Sequence, residues 1–209
     1  MEEIKKPSEF IGFPKIPRFS RMCTVSEKID GTNSQIYIGP EGGEFLVGSR
    51  TRWIQPVNDN HGFAKWAYEH EEELRTLGPG RHYGEWWGQG IQRNYGLKEK
   101  RFSLFNVRRW APYGTEPKLI SVDDKGVEKW QQVLPECCHL VPVIYEGEFG
   151  SISAHYALHR LKTRGSYAAP GFMKPEGIII FHSHGNLLFK KTILGDEVPK
   201  GKFHDNDIT

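Results

Sequence analysis

Between Met22 and Ser49 the chain passes through three stretches of alternating, β-favouring residues, "MCTVSEKID", "SQIYIG" and "EFLVGS", with glycine-containing turns between them. Alternation with period two gives each stretch one face for a core and one for solvent. Short glycine turns join neighbours that run in opposite directions, so the segment predicts antiparallel strands. The same signature returns in "RHYGEWWGQGIQ", a strand running into a glycine-rich loop, in "RFSLFNVRRW", in "LVPVIYEG", and in "EGIIIFH" with "NLLFKKTI", a hairpin around "SHGN". With 23 glycines and 13 prolines, the 209 residues are divided into many short elements.

Three segments carry helical spacing instead. "GFAKWAYEHEEELRTL" repeats apolar residues at Phe63, Trp66, Ala67, Leu74 and Leu77 and stops at Gly78-Pro79. "KGVEKWQQVLPE" predicts a helix capped by Asp123 or Asp124, and "AHYALHRLKTR" predicts a basic helix following Ser151 or Ser153. Antiparallel strands with interspersed helices make the fold class α+β. No internal repeat or long linker divides the chain, so residues 1–195 are read as one domain and 196–209 as a polar tail.

No stretch approaches the roughly 18 apolar residues of a membrane span, and "MEEIKKPSEF" lacks the apolar core of a secretory signal. The expectation is a cytoplasmic protein of a bacterial or phage-infected cell. Cys23, Cys137 and Cys138 form no disulfide framework and have no second pair at zinc-site spacing. The net charge of +2 is mild, but basic residues cluster at 98–101, 108–109, 160–164 and 190–191. Such groups can hold phosphates locally, and Arg160, Lys162 and Arg164 are candidates for a nucleic-acid backbone.

Within "SEKIDGTN", Lys28 stands two residues before Asp30-Gly31. A lysine nucleophile has to lose a proton whose reference pKa is about 10.4, roughly 4–5 kcal/mol uphill at neutral pH. Neighbouring cations or a metal supply that help. If the target is a nucleotide α-phosphate, the site also needs carboxylates, further cations and an aromatic face for the base. The chain offers Arg50 in "VGSR", Glu85 in "YGEWWGQGIQ", Phe105 beside Asn106 in "FSLFNV", Glu176 in "KPEGIIIF", and Lys190 and Lys191 in "LLFKKT". Phe102 competes with Phe105 for the base, and of Trp86 and Trp87 one is expected in the core and one near the pocket or nucleic acid.

In this order the motifs resemble the covalent nucleotidyltransferases: ATP-dependent DNA ligases, RNA ligases and capping enzymes. "EKIDGTN", "GEWWGQGIQ" and "FSLFNV" look most like the RNA ligase 2 type of phages and trypanosome editing ligases, and the likeness runs from about Lys15 to Lys191. The resemblance implies an ATP-grasp-like ligase nucleotidyltransferase fold. It also implies an ATP-dependent RNA ligase joining 5′-phosphate and 3′-hydroxyl ends. Lys28 would carry AMP, and Glu27 with the neighbouring backbone would face the adenine edge. Asn33 and Arg50 would lie near a phosphate, Glu85 on the ribose and Phe105 on the purine. Glu176 would help bind Mg2+ or Mn2+, and Lys190 would reach the α-phosphate; Asp30, a turn former before Gly31, is a candidate to assist the metal or a terminal 3′-hydroxyl. The family spaces its late lysines K-x-K; here Thr192 takes the second place, and strand alternation lets only one of Lys190 and Lys191 face the pocket, with Lys190 expected inward. After Thr192 too few residues remain for an oligonucleotide-binding (OB) barrel. An isolated adenylation domain is therefore expected, with RNA preferred over DNA and a separate domain or protein as a candidate partner. Alternatives are a minimal ATP-dependent DNA ligase and a non-catalytic nucleic-acid-binding module.

Overall fold

A computed structural model describes residues 11–196; the remainder of the predicted tail lies outside the described residues. Fourteen strands are described: β1 Met22–Lys28, β2 Thr32–Ile38, β3 Phe45–Ser49, β4 Trp53–Ile54, β5 Gly80–Gly88, β6 Lys100–Leu104, β7 Trp110–Ala111, β8 Leu119–Val122, β9 Glu128–Trp130, β10 Gln132–Val133, β11 Cys138–Leu140, β12 Val143–Glu148, β13 Gly177–His182 and β14 Leu187–Thr192. Helices are α1 Phe63–Glu69, α2 Glu71–Leu74 and α3 Ser151–Arg164. One sheet has the order β12-β1-β13-β14 and a second the order β11-β6-β5-β2-β3-β4. All pairs within these two sheets are antiparallel except β11 with β6. The α+β class and the antiparallel sheets match the sequence pattern.

Each sheet buries one face against helix. In the six-stranded sheet the alternate residues Ile36, Ile38, Val47, Trp86, Phe102 and Leu104 pack with Phe63, Ala64 and Ala67 of α1 and Leu74 of α2. In the four-stranded sheet Val25, Ile178 and Ile180 pack with Ala157, Leu158 and Leu161 of α3, the i, i+1, i+4 stripe of a helix laid on a sheet. A third cluster, Ile29, Trp87, Tyr95, Val141 and Ala169, joins the two halves. Fully burying a large apolar side chain contributes about 1.5–3 kcal/mol, so each cluster is a substantial part of the folding free energy.

Several sequence expectations are corrected. The strands β1 and β2 are not a hairpin, because β1 is flanked by β12 and β13 while β2 is flanked by β3 and β5. With both edges of each strand occupied, Ile29-Asp30-Gly31 crosses from one sheet to the other. The expected helix at 125–136 is strands β9 and β10. Asp123 closes the β8–β9 turn instead of capping a helix: its Oδ1 accepts from the amides of Lys125 (2.9 Å) and Val127 (2.8 Å). The helix over 63–77 breaks at His70, whose φ/ψ of −111/19 leaves the helical region. Its start is held by Asp59, which accepts from the amides of Ala64 and Lys65. Helix α3 begins at Ser151, so both serines lie inside it, Ser153 bonding back to the Gly150 carbonyl at 2.7 Å. "RFSLFNVRRW" is interrupted after Leu104, leaving Phe105 outside the strand.

Candidate active site

The site forms where β1 ends and the chain crosses to β2. Lys28 is the last residue of β1, paired with Gly177, whose predecessor is Glu176. The Lys28 Nζ donates to Glu176 Oε2 at 2.5 Å, with the carboxylate buried and the lysine about one-fifth exposed. Gly177 has to be small, since a Cβ there would meet the Lys191 carbonyl and Thr192 Cα of β14.

Glu85 lies opposite on β5. One of its oxygens accepts from the Gly31 amide at 3.0 Å and the other from Asn33 Nδ2 at 3.2 Å. Gly31 also passes so close to β5 that a Cβ would stand 2.4 Å from the Trp86 carbonyl oxygen and 2.7 Å from Trp87 Cβ. Burial pushes the Glu85 carboxyl up to about 7; the Lys28 charge and the Gly31 amide oppose that rise, while Glu176 and Asp30 add to it. Those four groups therefore share one electrostatic neighbourhood with Glu85.

Asp30 is gripped from outside the motifs, by the loop that follows β5. Its backbone amide donates to the Tyr95 hydroxyl at 2.8 Å, and Arg93 Nε donates to its Oδ2 at 3.0 Å. Arg93 also reaches the Lys174 carbonyl at 3.2 Å, tying Asp30 to the approach to Glu176. Burial raises the Tyr95 phenol above its ordinary range, so it stays a neutral donor and acceptor. The sequence signal was the polar "QRNYG" after the glycine-rich loop, where Gln92, Asn94 and Tyr95 all adopt positive φ.

Sheet register places the other candidates. On β14, Lys190 pairs with Ile179, which pairs with Ser26; Thr192 pairs with Gly177, which pairs with Lys28. Directly paired residues share a face, so Lys190 and Thr192 stand on the Lys28 side. Lys191 takes the other face with Ile178 and binds Asp196 at 2.8 Å, so it does not accompany Lys190. Glu27 likewise points away from Lys28: its Oε2 accepts from the amides of Tyr167 (2.7 Å) and Ala168 (3.0 Å). Burial pushes its carboxyl up, against the opposing effects of Ser166 and of those two amides. The expectation that Glu27 with the neighbouring backbone borders a purine is narrowed to that backbone.

Phe102 is fully buried against Phe63 and Trp66, which removes it as a base-stacking candidate. Phe105 is exposed just beyond β6, its amide bonded to the Tyr83 carbonyl, and continues the alternation of Arg101 and Ser103 on the Glu85 face. Both Trp86 and Trp87 are buried, on opposite faces, Trp87 lying under the crossover with Ile29. Arg50 is exposed in the turn between β3 and β4. Arg160 is engaged by Tyr167 at 2.6 Å and Tyr156 at 3.2 Å, whereas Lys162 and Arg164 are exposed.

The RNA ligase family model matches residues 21–191. The chain belongs to the RNA ligase family. Its fold is similar to that of an RNA ligase from Naegleria gruberi. One apo variant of that protein has a TM-score of 0.52 at 19% identity, covering 82% of this chain and 49% of the other. A variant with AMP and Mn has a TM-score of 0.52 at 18% identity, covering 82% and 49%. Another with ATP and Mn has a TM-score of 0.53 at 17% identity, covering 83% and 50%. This family member thus spans about half the length of the structures it matches. No curated protein matches it. Among the described residues, no helix is long and apolar enough to cross a membrane.

Proposed function

We propose that this chain is the adenylyltransferase unit of an ATP-dependent RNA ligase, with Lys28 as the nucleophile. The observation that carries the reading is the seat of Lys28: a strand-end amine on Glu176, with Glu85 opposite and Lys190 on the same sheet face. In the first step the amine lone pair attacks the ATP α-phosphorus. The new N–P bond replaces the P–O bond to pyrophosphate, which leaves, and the proton shed by the amine passes to the Glu176 carboxylate in contact with it. Lys190 supplies positive charge where charge builds on the α-phosphate. Glu85, fixed by Gly31 and Asn33, presents a carboxylate to a ribose hydroxyl, and Phe105 offers a face for the purine.

A 5′-phosphate oxygen of RNA then takes the adenylyl group from Lys28, and a 3′-hydroxyl displaces AMP to leave a phosphodiester. Among the described residues no group of three or more side chains forms a ready-made metal cage. Glu176 and Asp30 are nonetheless oxygen donors of the type Mg2+ or Mn2+ takes when substrate phosphates and water complete its shell, so the residues fit such an ion. A bound ion supplies charge neutralisation at the phosphate.

The test is incubation with α-labelled ATP and magnesium, followed by a chase with 5′-phosphorylated RNA. The reading predicts label on the protein, transfer of that label to RNA, and loss of both in Lys28→Ala. Label that never joins the protein, or that persists in the variant, overturns it.

A further inference from the structure

The sheet face that carries Glu85 continues well beyond the site. Along β5 its alternate residues are Tyr83 and Arg81; beside them on β2 stand Gln35 and Tyr37, and beyond lie Gly48 of β3 and Trp53 of β4. At about 3.3 Å per residue, Arg81 lies about 13 Å from Glu85 along the strand. The opposite face of these strands is filled by core, but this one is open, with Tyr83 52% and Trp53 42% exposed.

Of these two rings, Trp53 is held in order by its neighbours, and Tyr83 stands exposed beside them on the same face. The Arg81 guanidinium lies 5.1 Å from the Tyr37 ring and 5.3 Å from the Trp53 ring, and it donates to Gln35 Oε1 at 3.1 Å. Trp53 lies over Gly48, where a Cβ would come within 3.0 Å of the indole. Across these positions of β2 to β5 the face holds a single carboxylate, Glu85 itself, and the exposed Arg50 and Arg52 flank it from the β3–β4 turn. Ordered aromatic faces with interleaved arginine, free of opposing acid, suit a polyanion whose bases offer π-faces. The polyanion that the family acts on is RNA.

We propose that Trp53, Tyr83 and Arg81, with Tyr37 beneath the arginine, form a stacking track that holds unpaired nucleotides of the RNA substrate as they lead into the site. This rests on the ligase reading for the identity of the strand, not for the existence of the track. Stacking contributes through ring faces and tolerates any base, so the track governs RNA affinity and leaves the adenylation of Lys28 untouched.

The experiment measures anisotropy of a labelled single-stranded RNA lacking a 5′-phosphate, at fixed salt, on the full chain and on Trp53→Ala and Tyr83→Ala. Each alanine variant is expected to weaken binding about 5- to 150-fold, the range for loss of one base–aromatic stack. Trp53→Phe and Tyr83→Phe are expected to retain most of it, and fully paired RNA to compete poorly. Label transfer from ATP to protein, measured in parallel, is expected to be unchanged in all four. The track is overturned if the alanine variants bind like the parent, if phenylalanine fails to rescue, if duplex RNA competes equally, or if the alanine variants lose adenylation together with binding. Failure of the parent itself to take label counts against the ligase reading while leaving the binding comparison intact.

Discussion

Glu85→Gln tests the electrostatics of the site through stability. The free carboxyl titrates near 4.5 and the folded one near 7, raised by burial against the opposing effects of Lys28 and the Gly31 amide. The folded state therefore binds a proton over a pH range where the unfolded state has released it. Stability falls with rising pH wherever the folded state holds more protons. The contribution from Glu85 is thus complete below about pH 4.5 and is lost as the pH rises through about 7. At about 1.36 kcal/mol per pH unit, the displacement corresponds to about 3 kcal/mol. Glutamine does not titrate, yet its Oε1 can still accept from Gly31. Urea unfolding of the parent and of Glu85→Gln across pH 4.5–8 reads the effect as the difference between the two curves, in which titrating groups remote from Glu85 cancel. That difference should move against the parent by about 3 kcal/mol across the interval. A difference that does not change with pH refutes the claim that burial dominates at Glu85.

Three further outcomes follow from the geometry. Lys190→Ala should slow adenylation on the order of 10²-fold, as for loss of one donor at a developing oxyanion, while Lys191→Ala, which removes the Asp196 contact on the far face, leaves it near the parent rate; single-turnover label transfer separates them. Phe105→Ala should raise the KM for ATP by the equivalent of about 1–3 kcal/mol of stacking, whereas Phe102→Ala should cost about 3–5 kcal/mol of folding stability because it empties the core, as denaturation together with steady-state kinetics would show. Gly31→Ala places a methyl against the Trp86 carbonyl, so overpacking of about 1–3 kcal/mol and displacement of the Lys28–Asp30 segment should appear as a lower melting temperature and slower adenylation.

The residues legible in the sequence were those whose chemistry is local. Lys28 and Glu176 are far apart in the chain, yet Lys28 ends β1 and Glu176 directly precedes β13, and pairing of β1 with β13 brings them to 2.5 Å. The alternation that divided Lys190 from Lys191 is a property of any strand, and register alone decided which shares the Lys28 face. What escaped was non-local. Nothing in "EKIDGTN" tells that β1 and β2 belong to different sheets, since that depends on which strands occupy their edges. Arg93 and Tyr95 reach Asp30 only because a run of left-handed residues folds the loop back. The segment at 125–136 has apolar spacing compatible with a helix, but the Asp123 turn and Gly126 at φ +79° direct it into a hairpin. Glu27, adjacent to the nucleophile in sequence, is turned to the opposite face by the same alternation that positions Lys28.

Peptide mapping by mass spectrometry after incubation with ATP and magnesium identifies the nucleophilic nitrogen directly. A single adenylyl group is expected on the peptide containing Lys28, released by acid as a phosphoramidate is and absent when pyrophosphate is in excess. An adenylyl group on any other residue, or none on a folded protein saturated with ATP, contradicts Lys28 as the nucleophile.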